Sequence, residues 1–468
     1  MTLQVFNSMS QEKEVFIPLT PGRVTMYTCG PTVYDHPHIG NWRCFVVFDT
    51  VRRYLEYLGY EVKFVQNFTD IDDKVIKKAE ELGITTEALA EKYIDVYLRE
   101  AQTLGIRKAD VHPRATEHIP EMVDLVKSLL EKGIAYQVDK DVYFDITEFT
   151  SYGALSGQEL GALEAGARVE VDQNKRNPLD FVLWKGEKPG EPSWPSPWGF
   201  GRPGWHLECS VMSMKHLGVT VDIHAGGIDL KFPHHENERA QSEAATGEPF
   251  VRYWLHNGFL SIGGERMGKS LGNISTLEAL AKIHRPEAIR FFLLSAHYRS
   301  PLAFSPELLQ SAESSLDRLY NAVSALEAAP LQEGQRDPFM ESAVSRARND
   351  FRNSMDDDFN TADALASLFD LTRDVNAAIS RGPLHPDDQA AALEVYRELG
   401  GVLGLLGAAS DTSSLDDISQ GLLETLVEVR GRLRDQKEWA LADLIRDRLL
   451  EMGIHLEDTG TGTRWKRR

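Results

Sequence analysis

Two segments far apart in the chain carry side chains suited to holding a polyphosphate. His36-Pro37-His38-Ile39-Gly40-Asn41 stands where a strand gives way to a helix, and the free backbone N–H groups and dipole of a helix start favour a phosphate there. The His36 and His38 imidazoles can donate to its oxygens. Gly40 has no side chain, so an adenine ring can lie flat against the backbone. Taken alone, this segment reads more readily as a helix start bearing a surface histidine. Arg266-Met267-Gly268-Lys269-Ser270-Leu271-Gly272-Asn273 is a basic loop far downstream whose plain reading is a solvated turn. Read together, the two change meaning, because Arg266 and Lys269 can clamp a triphosphate from the side opposite His38. Attack on the α-phosphorus of such a ligand builds negative charge on the departing pyrophosphate. A Lys269 that meets this charge only in the transition state lowers the barrier selectively.

A third constellation suits a metal. Cys29 ends the first strand, Cys209 closes Gly204-Trp205-His206-Leu207-Glu208-Cys209, and His234 and Glu238 lie in Phe232-Pro233-His234-His235-Glu236-Asn237-Glu238. On a helix, positions i and i+4 project from one face, so His234 and Glu238 can share an ion. Two thiolates, an imidazole and a carboxylate make a four-ligand zinc set, and thiolates select a soft or borderline metal over magnesium. No CxxC is present, so spacing leaves the buried-cysteine reading open. That reading fits Cys44, on an apolar helix, and His235 reads as a helix cap.

These residues need elements to position them. Residues 23–29 read as a strand, and apolar positions at Val47, Val51, Tyr54, Leu55 and Leu58 then follow helical spacing until Gly59 ends the helix. Glu61–Val65 alternates as a second strand, so 23–67 spells strand, helix, strand, the unit of a parallel sheet. Val219–Ile223 leads through Gly226-Gly227 to a polar helix and a further strand at Tyr253–Leu255. Residues 110–205, dense in Gly and Pro after position 150, read as an insertion into that sheet. After the Ser305 cap, Leu309, Ala312, Leu316, Leu319, Val323 and Leu326 mark a bundle helix. The expected class is thus α/β, with a catalytic domain over 1–305, a helical bundle over 306–406 and a small module over 411–468.

The 468 residues are ample for about three domains, and the 51 Lys+Arg against 71 Asp+Glu give a net charge of −20. Such a charge excludes coating DNA or an anionic membrane by bulk electrostatics, so an RNA partner needs local basic strips. Three cysteines cannot make a disulfide framework. With no leader-like start and no apolar run near 18 residues, a cytoplasmic protein without a membrane is expected.

Together these residues resemble the cysteinyl-tRNA synthetase family of class I aminoacyl-tRNA synthetases. The resemblance covers nearly the whole chain through Cys29–Asn41, Asn67–Lys74, Ala165–Val169, Gly201–Ser210, Gly226–Glu238, Met355–Thr361 and Gly453–Thr459. His38–Asn41 looks like the family's first signature. Residues 266–270 look like its second, Lys-Met-Ser-Lys-Ser, with Arg266 keeping the charge and Gly268 replacing a serine. Gly268 adds backbone freedom, so the loop is expected to close more weakly.

The resemblance implies a Rossmann-like catalytic domain with its signature-loop and stem-contact region at 258–305, and a C-terminal anticodon-binding module. It implies one zinc ion per subunit, held by Cys29, Cys209, His234 and Glu238, that takes the substrate cysteine through its thiolate. It places Thr69, Trp205 and His224 at the amino-acid pocket. ATP, with Mg²⁺, falls to His36, His38, Gly40, Asn41, Gly227, Asp229, Lys269 and Ser270, with His38, Arg266 and Lys269 catalytic. For the tRNA the candidates are Arg430, Arg432, Arg434, Trp465 and Lys466, where unstacked bases can meet aromatics and arginines. A monomer is the family expectation. Two other readings compete: a cysteine ligase with a small amino-sugar acceptor, which needs no module at 411–468, and a non-catalytic zinc-bearing RNA-binding protein, against which Lys269 and His38 speak.

Overall fold

The structure, a computed structural model, describes residues 2–157, 174–262, 265–266, 275–407, 417–451, 454–459 and 462–467. Lys269, Ser270, the Ala165–Val169 match and the Gly268 departure lie outside the described residues, as do the side chains of Arg266 and Lys466.

Four parallel strands form the central sheet in the spatial order Val251–Asn257, Val221–Gly227, Arg23–Thr28, Glu61–Gln66. The two inner strands are buried along both faces, with Val24, Met26 and Tyr27 on one and Val221, Ile223 and Ala225 on the other. The helix Ile39–Tyr57 carries the chain from Arg23–Thr28 outward to Glu61–Gln66, and the helix Glu236–Thr246 carries it from Val221–Gly227 outward the other way. The chain therefore leaves the two inner strands in opposite directions. Their carboxyl ends flank the crevice where open α/β sheets bind ligands.

Cys29 follows one of those strand ends, and Gly227 closes the other. As the spacing predicts, Gly59 takes a positive φ of 92° just past the first helix, and Ser305 caps Pro306–Glu327 by accepting from Leu308 N.

The inserted region builds a four-stranded antiparallel sheet from Ala135–Val138, Asp141–Phe144, Phe181–Gly186 and Gly201–Pro203. The helix Ile119–Glu131 packs beside it through Met122, Val126 and Leu129. A Cβ at Gly204 would lie 2.0 Å from the Val182 carbonyl oxygen. Only glycine lets the chain turn there into the helix Trp205–Leu217, which brings Cys209 to the crevice. Pro306–Glu327, Pro338–Asp356, Thr361–Arg381 and Pro386–Leu403 form the helical bundle, and Leu309, Leu316, Leu319 and Leu326 line its buried seam.

The chain divides into compact units at 1–405 and 406–468. The second holds the helices Asp417–Asp435 and Trp439–Glu451 and the hairpin Ile454–Thr459/Gly462–Arg467. Among the described residues, no helix is long and apolar enough to cross a membrane.

One buried ion pair ties the first helix to the bundle. Arg290 donates to Asp49 at 2.6 Å and to the Leu403 carbonyl at 2.7 Å, and Arg53 donates to the same Asp49 oxygen at 2.8 Å. Gly404, at φ 67°, leaves the room that Arg290 occupies, since a Cβ there would meet the guanidinium at 2.5 Å. Removing one partner strands a buried charge, so Asp49→Ala is expected to cost about 3–5 kcal/mol. A lowered midpoint in urea unfolding checks it.

Candidate active site and metal centre

A cavity of about 660 Å³ opens at the carboxyl ends of the inner strands. Cys29, Thr69, Trp205, Cys209 and His234 line it as one group, and His36, His38, Gly40, Asn41, Gly227 and Asp229 as another. Glu238 lies behind this wall, fully buried. Each side chain has a structural reason to be there. Beyond Arg23–Thr28 and its neighbour Glu61–Gln66 the two chain segments stay paired, with Val33 N donating to the Thr69 carbonyl and Thr69 N to that of Pro31. Asn67, whose role the sequence did not disclose, accepts from Gly30 N at 2.8 Å and donates to Thr69 Oγ1 at 3.3 Å. A Cβ on Gly30 would lie 1.7 Å from the Asn67 carbonyl oxygen, so that approach requires glycine.

The ligand atoms of Cys29, Cys209, His234 and Glu238 lie within 4.8 Å of one another, and all four residues are buried. The two sulfurs are 3.7 Å apart. This is far longer than a disulfide bond of about 2.05 Å. Two thiolates at about 2.3 Å from one tetrahedral zinc would stand about 3.8 Å apart. His234 Nε2 lies 2.7 Å from Glu238 Oε1, and Cys29 Sγ lies 3.5 Å from the same oxygen. Donor chemistry and spacing therefore fit zinc.

The charges agree with that fit. Cys29 donates toward Cys209, and this hydrogen bond outweighs burial to draw Cys209 down to about 6, while burial first, then Cys209, push Cys29 up. Burial opposes charge on His234, but Glu238 and Cys209 overcome it and hold the imidazole up at about 10. Burial likewise opposes charge on Glu238, yet His224 and His234 keep its carboxyl well below the usual range. An anionic cluster poised to exchange protons for a cation is the result. The His234 ring is fixed by stacking on Trp205, with centroids 4.2 Å apart, and by His206 Nδ1 3.0 Å from its own Nδ1, so Nε2 is the atom turned to the cluster.

Two expectations need correction. His224 does not line the cavity. It is fully buried behind the cluster, its Nε2 3.1 Å from Glu238 Oε2 and 3.6 Å from Cys29 Sγ, because it faces inward from Val221–Gly227 and stacks on Tyr27. Nor does the His235 side chain cap a helix. It is fully buried, 3.3 Å from Cys29 Sγ and 2.8 Å from His256 Nε2, and makes a second metal-competent grouping with Cys29, His224 and Glu238. The expected pairing of His234 with Glu238 holds, with His234 on the turn that leads directly into the helix Glu236–Thr246. The non-helical Phe232, at φ −140° and ψ 134°, lies before His234, while His235 and Glu236 are right-handed helical, so the i and i+4 spacing does bring His234 and Glu238 together.

His38 caps the first helix. Its Nδ1 accepts from Asn41 N at 3.2 Å while Asn41 Oδ1 accepts from His38 N at 3.1 Å. With Nδ1 an acceptor, the neutral ring carries its proton on Nε2, the nitrogen that can donate elsewhere. A Cβ on Gly40 would meet that ring at 3.0 Å. His36 keeps its place on the wall, with Nδ1 3.0 Å from Glu100 Oε1. Gly227 lets the Asp229 carboxylate fold back beside the strand end, since a Cβ there would be 2.4 Å from Asp229 Oδ1. Lys74 and Asn257 also line the cavity. Lys74 stands in a segment that the sequence singled out without assigning it a role.

In the second unit, a shallow hollow of about 420 Å³ is lined by Glu424, Val427, Glu428, Thr463 and Trp465. Arg430 is buried and donates to Thr463 at 3.3 Å, so it ties helix to hairpin instead of facing solvent as the tRNA expectation requires. Arg432 is exposed and pairs with Glu428. Arg434 shares their helix, and the Lys466 backbone lies in the strand that carries Trp465.

A family profile described as tRNA synthetases class I (C) catalytic domain matches residues 15–314, and one for the DALR domain matches 350–407. Cysteine–tRNA ligases of Heliobacterium modesticaldum and Carboxydothermus hydrogenoformans are 51% and 52% identical over 481 and 469 aligned residues, covering 100% and 99% of this chain and 100% of each relative. Among solved structures, Mycobacterium tuberculosis methionyl-tRNA synthetase in complex with methionyl-adenylate superposes with a TM-score of 0.62 at 17% identity, over 86% of this chain and 94% of that one. The ternary complex of Agrobacterium radiobacter LeuRS with tRNA and LeuAMS gives 0.63 at 12% identity, over 86% of both chains. At those identities the likeness is one of fold.

Proposed function

The chain belongs to the cysteine–tRNA ligase family of class I aminoacyl-tRNA synthetases, and from that premise we propose which of its residues carry the reaction. It activates L-cysteine with ATP to cysteinyl-adenylate and pyrophosphate and transfers cysteine to the 3′-terminal adenosine of its tRNA. The observation that supports the assignment of residues is one cavity, at the crevice between the inner strands, joining the donors Cys29, Cys209 and His234 to the His38 helix start.

Cys29, Cys209, His234 and Glu238 hold zinc. When bound, the ion supplies a soft Lewis-acid position that takes a thiolate and discriminates against the serine hydroxyl, which a hydrophobic pocket alone does poorly. Thr69 and Trp205 flank the amino acid, and Asn67 orients Thr69. The cysteine carboxylate attacks the α-phosphorus in line, a step driven by positioning and charge stabilisation without a protein nucleophile. His38 donates to phosphate through Nε2, Gly40 leaves room for the base, and Asp229 accepts from the ribose. Arg266, Lys269 and Ser270 meet the departing pyrophosphate.

The tRNA anticodon is read by the module at 411–468, where Trp465 offers a stacking face beside Glu424 and Glu428. The same reading takes Mg²⁺ with ATP, one zinc per chain, a monomer and a cytoplasmic setting.

The test is transfer of labelled cysteine to unfractionated tRNA with Mg-ATP and zinc-loaded protein, serine running in parallel. Acid-precipitable cysteine without serine supports the reading. Label that reaches an amino sugar and not tRNA overturns it.

A further inference from the structure

Gly258, Phe259 and Leu260 form part of the cavity wall beside Gly40, and their backbone is held by one buried guanidinium. Arg43, on the first helix, is fully buried and makes no ion pair among the described residues. Its Nη1 donates to the Gly258 and Phe259 carbonyls at 2.9 and 2.8 Å. Its Nη2 donates to the His297 and Ser300 carbonyls at 3.2 and 2.7 Å. One planar fork thus bridges the 258–259 link between strands and the 297–300 turn. The two press on each other as well, because a Cβ on Gly258 would lie 2.6 Å from the carbonyl oxygens of both Arg299 and Ser300. Gly258 N donates to the Tyr298 carbonyl at 2.8 Å, and Leu302 N donates to that of Phe259 at 2.9 Å.

The 297–300 turn is also gripped through its side chains by Asp358, in the Met355–Thr361 segment that the sequence singled out and the proposed chemistry leaves unused. Asp358 is fully buried and accepts from Tyr298 Oη at 2.9 Å, Arg299 Nε at 2.6 Å and Phe6 N at 2.8 Å. Asp358 and Phe359 take positive φ of 60° and 54°. Such backbone is costly for residues other than glycine and persists only where its surroundings over-determine it.

We propose that Arg43 and Asp358 are positioning residues for ATP, holding the 297–300 turn by its carbonyls and by its side chains respectively to fix the Gly258–Leu260 wall. This rests on the reading that the wall beside Gly40 receives the nucleotide. The clamp touches none of the four metal donors, so it acts on ATP and not on cysteine. It also joins the DALR-matching helices to the nucleotide end of the cavity, since Asp358 follows the helix Pro338–Asp356 and precedes Thr361–Arg381.

Arg43→Lys keeps the charge, but an ammonium on a flexible stem cannot span both segments as the planar fork does. Asp358→Asn keeps the shape and tolerates the left-handed backbone, but it puts an amide where Arg299 needs an acceptor. Cysteine-dependent ATP–pyrophosphate exchange, zinc content and thermal midpoint are measured for both variants and the double variant. Misplacement of about 1 Å can cost up to about 10²-fold in rate, so a KM for ATP raised roughly tenfold in Arg43→Lys and roughly fivefold in Asp358→Asn is expected. The KM for cysteine and the zinc content stay within about twofold, and the double variant falls near the larger single effect and not at the product, as groups holding one turn require.

An unchanged KM for ATP in both variants overturns the proposal, as does a parallel rise in both KM values with a fallen thermal midpoint. So do multiplicative effects in the double variant. Wild-type protein without cysteine-dependent exchange would overturn the underlying reading and the proposal with it.

Discussion

Cys209→Ser is expected to strip zinc from the purified protein and to lower cysteine-dependent ATP–pyrophosphate exchange by on the order of 10²–10³-fold. A four-ligand zinc site is worth about 10–16 kcal/mol, so one ligand carries roughly 3–4 kcal/mol. At about 1.4 kcal/mol per tenfold, that is a factor of roughly 10²–10³ in affinity. Serine is the sharpest probe because it changes one atom. Its hydroxyl stays protonated at neutral pH, whereas hydrogen bonding from Cys29 holds the Cys209 thiol down at about 6. The loss is in charge as well as in softness.

Cys44→Ser is the control. Cys44 lies on the first helix, its thiol pushed up by burial, and belongs to no metal-competent grouping among the described residues. Its zinc content should match wild type. Metal analysis beside the exchange assay decides the matter, and a Cys209→Ser protein that retains one zinc with full exchange would remove Cys209 from the ligand set.

The parallel sheet was legible because its signals are local. Strand, helix and strand over 23–67 are punctuated by Gly30-Pro31 and Gly59, and the second unit by Gly226-Gly227, so periodicity alone orders them. The inserted sheet was not. Its strands run only three to six residues, too short for a period to register between the glycines and prolines around them.

The four donors could be named from residue type, but their neighbours could not be sorted. Whether His224 faces the cavity or the interior depends on the facing of one strand, and His235 differs from His234 by a single step along a helical turn. Types and spacing do not encode which of two adjacent imidazoles turns toward a sulfur. Arg43 and Asp358 were hidden for a related reason. A cation in an apolar helix reads as surface until the four carbonyls around it are seen, and those come from residues more than 200 positions away in the chain.

The second large effect concerns the loop proposed to meet the leaving group, and it separates from the clamp in kind. Lys269→Ala is expected to lower kcat of ATP–pyrophosphate exchange by about 10²–10³-fold, the usual cost of removing one donor aimed at charge that develops in the transition state. Its KM for ATP should change little, because a group that meets the pyrophosphate only as the α-phosphorus is attacked contributes nothing to the ground state. Arg43→Lys should show the opposite split, since it displaces a wall that ground-state ATP already contacts.

The chain as far as Arg266 supports this placement. Arg266 pairs antiparallel with Ser261, and the strand of Ser261 continues directly from the Gly258–Leu260 wall. Steady-state kinetics of Lys269→Ala at saturating cysteine, with ATP varied, reads the split. A raised KM with an unchanged kcat would place Lys269 on ground-state ATP and not on the departing pyrophosphate.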